Sequence, residues 1–236
     1  MLKSFLTASS GVLTAQKGME VVSNNLSNLD SAGYKADKAS FADLMHSSIK
    51  AAASAEGKSV SSGNGVKLSD TVTDFSQGPL QQTGYKNDYA IFGDGFFAVQ
   101  DENGTHYTRD GSFRLSSAQG KNGFYLVDAK GGFVLDEKGQ RIFSESGQNV
   151  TAPGVFRFFN KEGLLKKDGN SFYETELSGK AEAALKPDCR AGYIESSASD
   201  VAEELSEAIM LQRSFALNAK MAQTSDEVMQ TLNNLR

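Results

Sequence analysis

The sequence holds a single cysteine, Cys189, so neither an intrachain disulfide nor a cysteine-built metal cluster can form. Its only histidines, His46 and His106, lie in different regions, which leaves a histidine-based metal site without support. No apolar run approaches the ~20 residues that cross a bilayer, so no membrane span is expected. A basic surplus is missing as well: a net charge of -5 and a pI near 5.2 argue against nucleic acid as a main partner, because phosphate binding needs a positive surface. Near the start, Thr7, Ser9, Ser10 and Thr14 interrupt the apolar residues, so the amino terminus is read as retained rather than cleaved. Gly93-Asp94-Gly95 lacks the third glycine and the strand-to-helix setting of a dinucleotide loop. No cofactor is expected, and no repeat of solenoid period is present.

What is present is enough to fold: 236 residues with 39% hydrophobic content can bury a real core. Residues 200–236 read as one long helix, with Asp200 placed to cap it and Glu203 to complete a capping box. Its apolar residues form two stripes. One is Val201, Leu205, Ala208, Phe215, Ala219, Ala222 and Met229; the other, on a nearly opposite face, is Met210, Leu217, Met221, Val228 and Leu235. From Leu2 to about Leu29 a second helix shows heptad rows Phe5, Val12, Met19, Leu26 and Ala8, Ala15, Val22, Leu29, with an exit at Ser31-Ala32-Gly33. An antiparallel pair of these helices within one chain would leave one stripe facing water, a patch that monomers seldom tolerate. Packing between copies would cover it.

Between the helices the pattern changes. Residues 34–49 suit a short amphipathic turn or helix remnant, and the Ser- and Gly-rich residues 54–69 read as a flexible or extended connection in which Val60, Val66 and Leu68 could form a short strand. From about Thr71 to Tyr193, short runs of β-branched and aromatic residues alternate with turn dipeptides. Asp94-Gly95 and Asn103-Gly104 read as hairpin turns, and Asp110-Gly111, Asn122-Gly123, Gly131-Gly132 and Lys138-Gly139 continue at about ten-residue spacing. The expected class is therefore α+β: terminal helices forming a coiled-coil stalk, with an antiparallel β domain inserted between them. The expected divisions are 1–33 and 195–236 for the stalk, 34–70 for the connection and 71–194 for the β domain.

Polar clusters carry competing readings. Asn24, Asn25 and Asn28 could cross-link neighbouring helices and fix their register, or simply cap a fraying end. Glu203, Glu204 and Glu207 read as a solvated first turn favourable to the helix dipole, with pairing to Arg213 or a neighbouring subunit as the alternative. His106, Arg109 and Asp110 are the nearest approach to a catalytic cluster, against the plainer reading of a polar hairpin. The rival they support is a secreted carbohydrate- or peptidoglycan-cleaving enzyme with the helices as a dimerisation stalk; the favoured reading is a non-enzymatic structural protein.

Several motifs, in order along nearly the whole chain, resemble the bacterial flagellar rod and hook protein family. At the amino end these are Ser10-Gly11-Val12-Leu13-Thr14-Ala15-Gln16, Val22-Ser23-Asn24-Asn25-Leu26-Ser27-Asn28 and Gly33-Tyr34-Lys35. In the middle they are Asp74-Phe75-Ser76-Gln77-Gly78-Pro79-Leu80, Gly93-Asp94-Gly95-Phe96-Phe97 and Tyr107-Thr108-Arg109-Asp110-Gly111-Ser112-Phe113. Gly192-Tyr193-Ile194-Glu195-Ser196-Ser197, Glu203-Glu204-Leu205, Gln212-Arg213-Ser214-Phe215, Asn218-Ala219-Lys220 and Thr224-Ser225-Asp226-Glu227-Val228-Met229 complete the set. The pattern departs at Ser197-Ala198-Ser199 and at Ser214, which displaces the aromatic to Phe215. The resemblance is greatest to the distal rod protein; a proximal rod or hook-type subunit is the alternative.

The resemblance implies a structural subunit whose terminal helices pack from many copies into a helical, tubular drive shaft carrying torque from motor to hook. It implies other rod and hook proteins, the surrounding ring proteins and the flagellar export apparatus as partners. It also implies a basal-body site in the cell envelope, periplasmic, reached by export without signal-peptide cleavage. The residues expected to pack subunits are Phe5, Val12, Met19, Val22, Asn24, Asn25 and Leu26 on the first helix, and Val201, Leu205, Phe215, Met221, Val228 and Met229 on the last.

Overall fold

The computed structural model describes residues 2–49, 60–102, 104–117, 123–145, 150–184 and 187–235. They form two units, one from the residues up to Leu26, Asp37–Val72 and those from Val201 onward, the other from Ser27–Ala36 and Thr73–Asp200.

Unit 1 contains α1 (Leu2–Ser27), β1 (Asp37–Asp43), β2 (Ser47–Ile49), β3 (Val60–Ser62), β4 (Val66–Thr73) and α2 (Val201–Asn234). The two helices are the long heptad segments, and α2 begins immediately after Asp200. The turn or helix remnant expected over residues 34–49 is instead strand: β1 pairs with β4, and β2 with β3. Pairing overrode the weak helical pattern, because Asp37, Ala39 and Ala42 turn inward while the residues between stay exposed, closer to a period of two than of 3.6. Thr14 of α1 donates its hydroxyl to the Val66 carbonyl (3.1 Å), tying the helix to β4. Val60 lies in β3, and Val66 and Leu68 in β4; the rest of the expected connection, 54–59, falls outside the described residues, as do Asn103 and Asn122 of two expected turns.

Unit 2 is antiparallel β structure: β5 (Leu80–Gln82), β6 (Tyr89–Phe92), β7 (Phe96–Asp101), β8 (Gly104–Thr108), β9 (Arg114–Ser117), β10 (Phe124–Val127), β11 (Phe133–Val134), β12 (Phe143–Ser144), β13 (Val155–Arg157), β14 (Leu165–Lys167), β15 (Ser171–Tyr173), β16 (Glu182–Ala183), β17 (Asp188–Ala191) and β18 (Tyr193–Glu195). The main sheet runs β12-β10-β11-β7-β8-β15-β14, with β13 also on β7, β16 on β13 and β9 on β10. β7 is its centre. Phe97 and Val99 point into one hydrophobic cluster with Tyr89, Phe113, Leu126, Val134 and Val155, and Phe96 and Ala98 point into another with Tyr107, Leu135, Phe158 and Phe172. A strand buried on both faces needs an unbroken apolar run, which Phe96-Phe97-Ala98-Val99 supplies.

One expected hairpin is absent. β6 and β7 flank Asp94-Gly95 yet do not pair: β6 takes β17 as partner, with Ile91 opposite Cys189, while β7 pairs with β8, β11 and β13. Gly95 serves a close approach instead, since a Cβ there would stand 2.4 Å from Val155 Cγ1. β7 and β8 do form a hairpin, with Asp101 opposite Gly104.

Candidate assembly surface

α1 and α2 meet at points spaced by seven residues. Ser4 Oγ lies 3.4 Å from Ser225 Oγ, and Asn25 Nδ2 donates to Glu204 Oε1 at 2.9 Å. Between them, a Cβ on Gly11 would stand 2.7 Å from the Asn218 carboxamide, and one on Gly18 would stand 3.1 Å from Leu211 and 3.2 Å from Phe41. The partners 4, 11, 18, 25 rise along α1 as 225, 218, 211, 204 fall along α2, so the helices run antiparallel in one heptad register. Glycine at two of the four points lets the backbones approach, and polar pairs hold the ends.

Asn25 is the register pin. It is buried, its Oδ1 accepts the Asp37 N–H (3.0 Å), and its amide donates to the Asp37 carbonyl (2.8 Å) as well as to Glu204. Asn24 is exposed, and Asn28 accepts from the Ser31 hydroxyl at the helix exit. The expectation of a solvated first turn therefore fails at Glu204, which is buried with its Oε2 unpaired.

Burial raises the Glu204 pKa above its ordinary value, more than the Asn25 hydrogen bond lowers it, and the charges of Glu207 and Glu203 push the same way as burial. A carboxyl raised on folding contributes stability that is fully present below its unfolded pKa and lost as pH rises through the folded one. Glu204→Gln keeps an acceptor for Asn25 and removes the titrating group, so any stability it gains over the parent at neutral pH is expected to disappear in acid, where the parent carboxyl is protonated. It is also expected to flatten the acid-side slope of stability, which denaturant titrations at several pH values will read.

With its inner face on α1, α2 turns an apolar stripe outward: Met210, Leu217, Met221 and Val228 are 65%, 67%, 55% and 44% exposed, and Leu232 and Leu235 continue it. α1 exposes Leu6 and Leu13, seven residues apart. Among the residues expected to pack, Val22 is buried and Phe5, Val12, Met19, Leu26, Phe215 and Met229 are half-buried. Val201 and Leu205 are exposed, off the face turned to α1, on which Glu204, Ala208, Leu211 and Phe215 lie. Periodicity of apolar residues also missed Gly11 and Gly18. The signal for them was the seven-residue recurrence Ser4, Gly11, Gly18, Asn25 of small and polar side chains.

Unit 2 holds a buried three-charge cluster. Glu195 Oε1 accepts Lys35 Nζ (2.6 Å) and the Gly78 N–H (2.8 Å), while Oε2 accepts Arg109 (3.0 Å). Lys35 also donates to the Ser76 carbonyl (2.6 Å), and Arg109 to the Gly93 carbonyl (2.8 Å). Burial lowers the Lys35 pKa against the raising pull of the Glu195 charge. Gly33 fits only as glycine: its φ is 65°, and a Cβ there would stand 2.4 Å from the Arg109 backbone.

The His106, Arg109 and Asp110 constellation does not converge. His106 lies buried between Asp101 and Asp128 (3.4 and 3.7 Å), Arg109 reaches Glu195, and Asp110 accepts locally from Ser112. Alternation along β8 sends His106 and Tyr107 to opposite faces, so sequence neighbours serve different surroundings.

The paired terminal helices and the β unit that separates them in the chain are each matched by a family model of flagellar structural proteins. The amino end matches the model described as flagella basal body rod protein over residues 5–35. The middle matches the flagellar hook protein FlgE/F/G D1 domain over 90–157, and the carboxy end the flagellar basal body rod FlgEFG protein C-terminal region over 190–235. The flagellar basal-body rod protein FlgG of Bacillus subtilis is 31% identical over 264 residues, covering all of both chains. That of Buchnera aphidicola subsp. Schizaphis graminum is 33% identical over 267, again covering all of both. The flagellar hook protein FlgE of Helicobacter mustelae is 40% identical over 139 residues, 54% of this chain and 30% of that protein. The chain belongs to the flagellar basal-body rod protein FlgG family, whose members are structural proteins of the flagellar basal body and not enzymes.

Proposed function

We propose that this rod subunit assembles through unit 1: the α1–α2 pair acts as a coiled-coil stalk, and copies pack stalk against stalk into a tube that transmits torque from motor to hook. The carrying observation is the outward stripe of α2, apolar from Met210 to Leu235 on a helix whose other face α1 already covers. Each large side chain buried there contributes about 1.5–3 kcal/mol. Neighbouring rod and hook proteins would meet the same surfaces, and ring proteins would enclose the shaft in the periplasm. Delivery through the flagellar export apparatus belongs to the same reading. Full-length matching to rod proteins, against partial matching to a hook protein, favours the rod. Purified chain is expected to form tubular polymers above a critical concentration, visible by electron microscopy and sedimentation; a chain that stays monomeric at every concentration tested contradicts the reading.

A further inference from the structure

The chain passes between the two units after Leu26, Ala36, Val72 and Asp200, so a pull on α1 or α2 enters unit 2 along the backbone beside those points. Inside unit 2 the adjoining segments, 32–36, 74–80 and 195–198, are bound to one another. Gly33 donates its N–H to the Glu195 carbonyl (2.7 Å), and Ala198 donates to the Tyr34 carbonyl (3.0 Å). Asp74 donates to the Ala36 carbonyl (2.8 Å) and Ser196 to the Pro79 carbonyl (2.8 Å), while β18 pairs with β5, Glu195 standing opposite Leu80. The approach is close enough to need glycine at 78, where a Cβ would stand 2.4 Å from the Ser196 carbonyl oxygen.

The main sheet grips the first segment as well. Asn170, between β14 and β15, donates to the Ala32 carbonyl (2.6 Å), and Lys166 of β14 donates to the Lys35 carbonyl (2.7 Å) with its ammonium 4.4 Å over the Tyr34 ring. The carbonyls of Ala32, Tyr34, Lys35 and Ala36 are thus each held by a donor distant in sequence. At the centre lies the Lys35–Glu195–Arg109 cluster, whose Arg109 also stands 5.4 Å over the Phe96 ring of β7 and so anchors the cluster to the core. Tyr34, Lys35 and Glu195 are buried, so water does not compete for their bonds as they are stretched.

The two backbone bonds between the first and third segments advance along both in the same sense, from 33 with 195 to 34 with 198, so these segments run parallel. α1 draws on the first from its amino end, and α2 draws on the third from its carboxy end. Parallel segments drawn from opposite ends slide in shear, so their bonds must fail together; segments peeled apart from one end lose their bonds one at a time.

We propose that these three segments form a mechanical clamp, through which unit 2 resists tension delivered by its terminal helices far better than tension applied elsewhere on it. Its use in a torque-transmitting shaft rests on the reading above; the clamp itself belongs to the single chain. The test unfolds single full-length Cys189→Ser chains at constant force in optical tweezers. Handles are placed either at the chain ends or at Tyr85→Cys and Leu177→Cys, which are exposed and lie outside the three segments. Once α1 and α2 have separated, unit 2 is expected to unfold about tenfold or more slowly through the ends than across Tyr85 and Leu177 at the same force. Lys35→Met removes the donor to Glu195 and to the Ser76 carbonyl, and is expected to raise the rate through the ends about tenfold while leaving the crosswise rate nearly unchanged. Leu126→Ala, a core change in β10, is expected to speed both alike. Equal rates in the two directions for the parent, or a Lys35→Met effect equal in both, overturn the clamp and leave stalk assembly standing. A chain that shows the directional difference yet never polymerises upholds the clamp and overturns the stalk.

Discussion

Glu195→Ala is expected to cost the chain about 3–5 kcal/mol of unfolding free energy, enough to consume a large part of a typical domain's stability. The carboxylate is 1% exposed and is the acceptor shared by Lys35 and Arg109, themselves 0% and 3% exposed. Its removal leaves two cations facing each other in a desolvated site and takes an acceptor from the Gly78 N–H. The cost is that of stranding charges rather than the net worth of the pairings, so replacing all three residues together by apolar ones is expected to be far milder than the single change. Denaturant unfolding of both variants measures the difference; a loss under about 1 kcal/mol for Glu195→Ala would show that the cluster does not hold unit 2 closed.

Met221→Glu combined with Val228→Glu is expected to abolish assembly while leaving the monomer intact. Both positions lie on the outward face of α2, so the monomer's stability should stay within about 0.5 kcal/mol of the parent. In a packed stalk each change forfeits about 1.5–3 kcal/mol of burial, so the critical concentration should rise on the order of a hundredfold or more. Sedimentation against concentration, with circular dichroism to confirm the helices, gives the outcome. Polymerisation at the parental concentration would mean that this stripe is not an interface.

The helices were legible because burial on a helix face leaves a period, and the two long segments kept theirs over 26 and 34 residues. Their mutual register was not, because it rests on Gly11, Gly18 and Asn25, residues that an apolar pattern passes over. The β unit was legible as short strands between turns. Its pairing order was not: Asp94-Gly95 carries the local chemistry of a hairpin, yet β6 is claimed by β17 from nearly a hundred residues downstream, a choice that only tertiary packing makes. The buried cluster was equally hidden, since Lys35, Arg109 and Glu195 sit far apart in sequence and each reads alone as a surface charge.

Side-chain oxidation of Met210 and Met221, followed by mass spectrometry in monomer and in polymer, probes the outward stripe directly, because thioether oxidation reports solvent access. Rapid oxidation in the monomer with strong protection in the polymer is the expected result. Equal oxidation of Met221 in both states would mean that the stripe stays wet after assembly, and would contradict stalk-to-stalk packing.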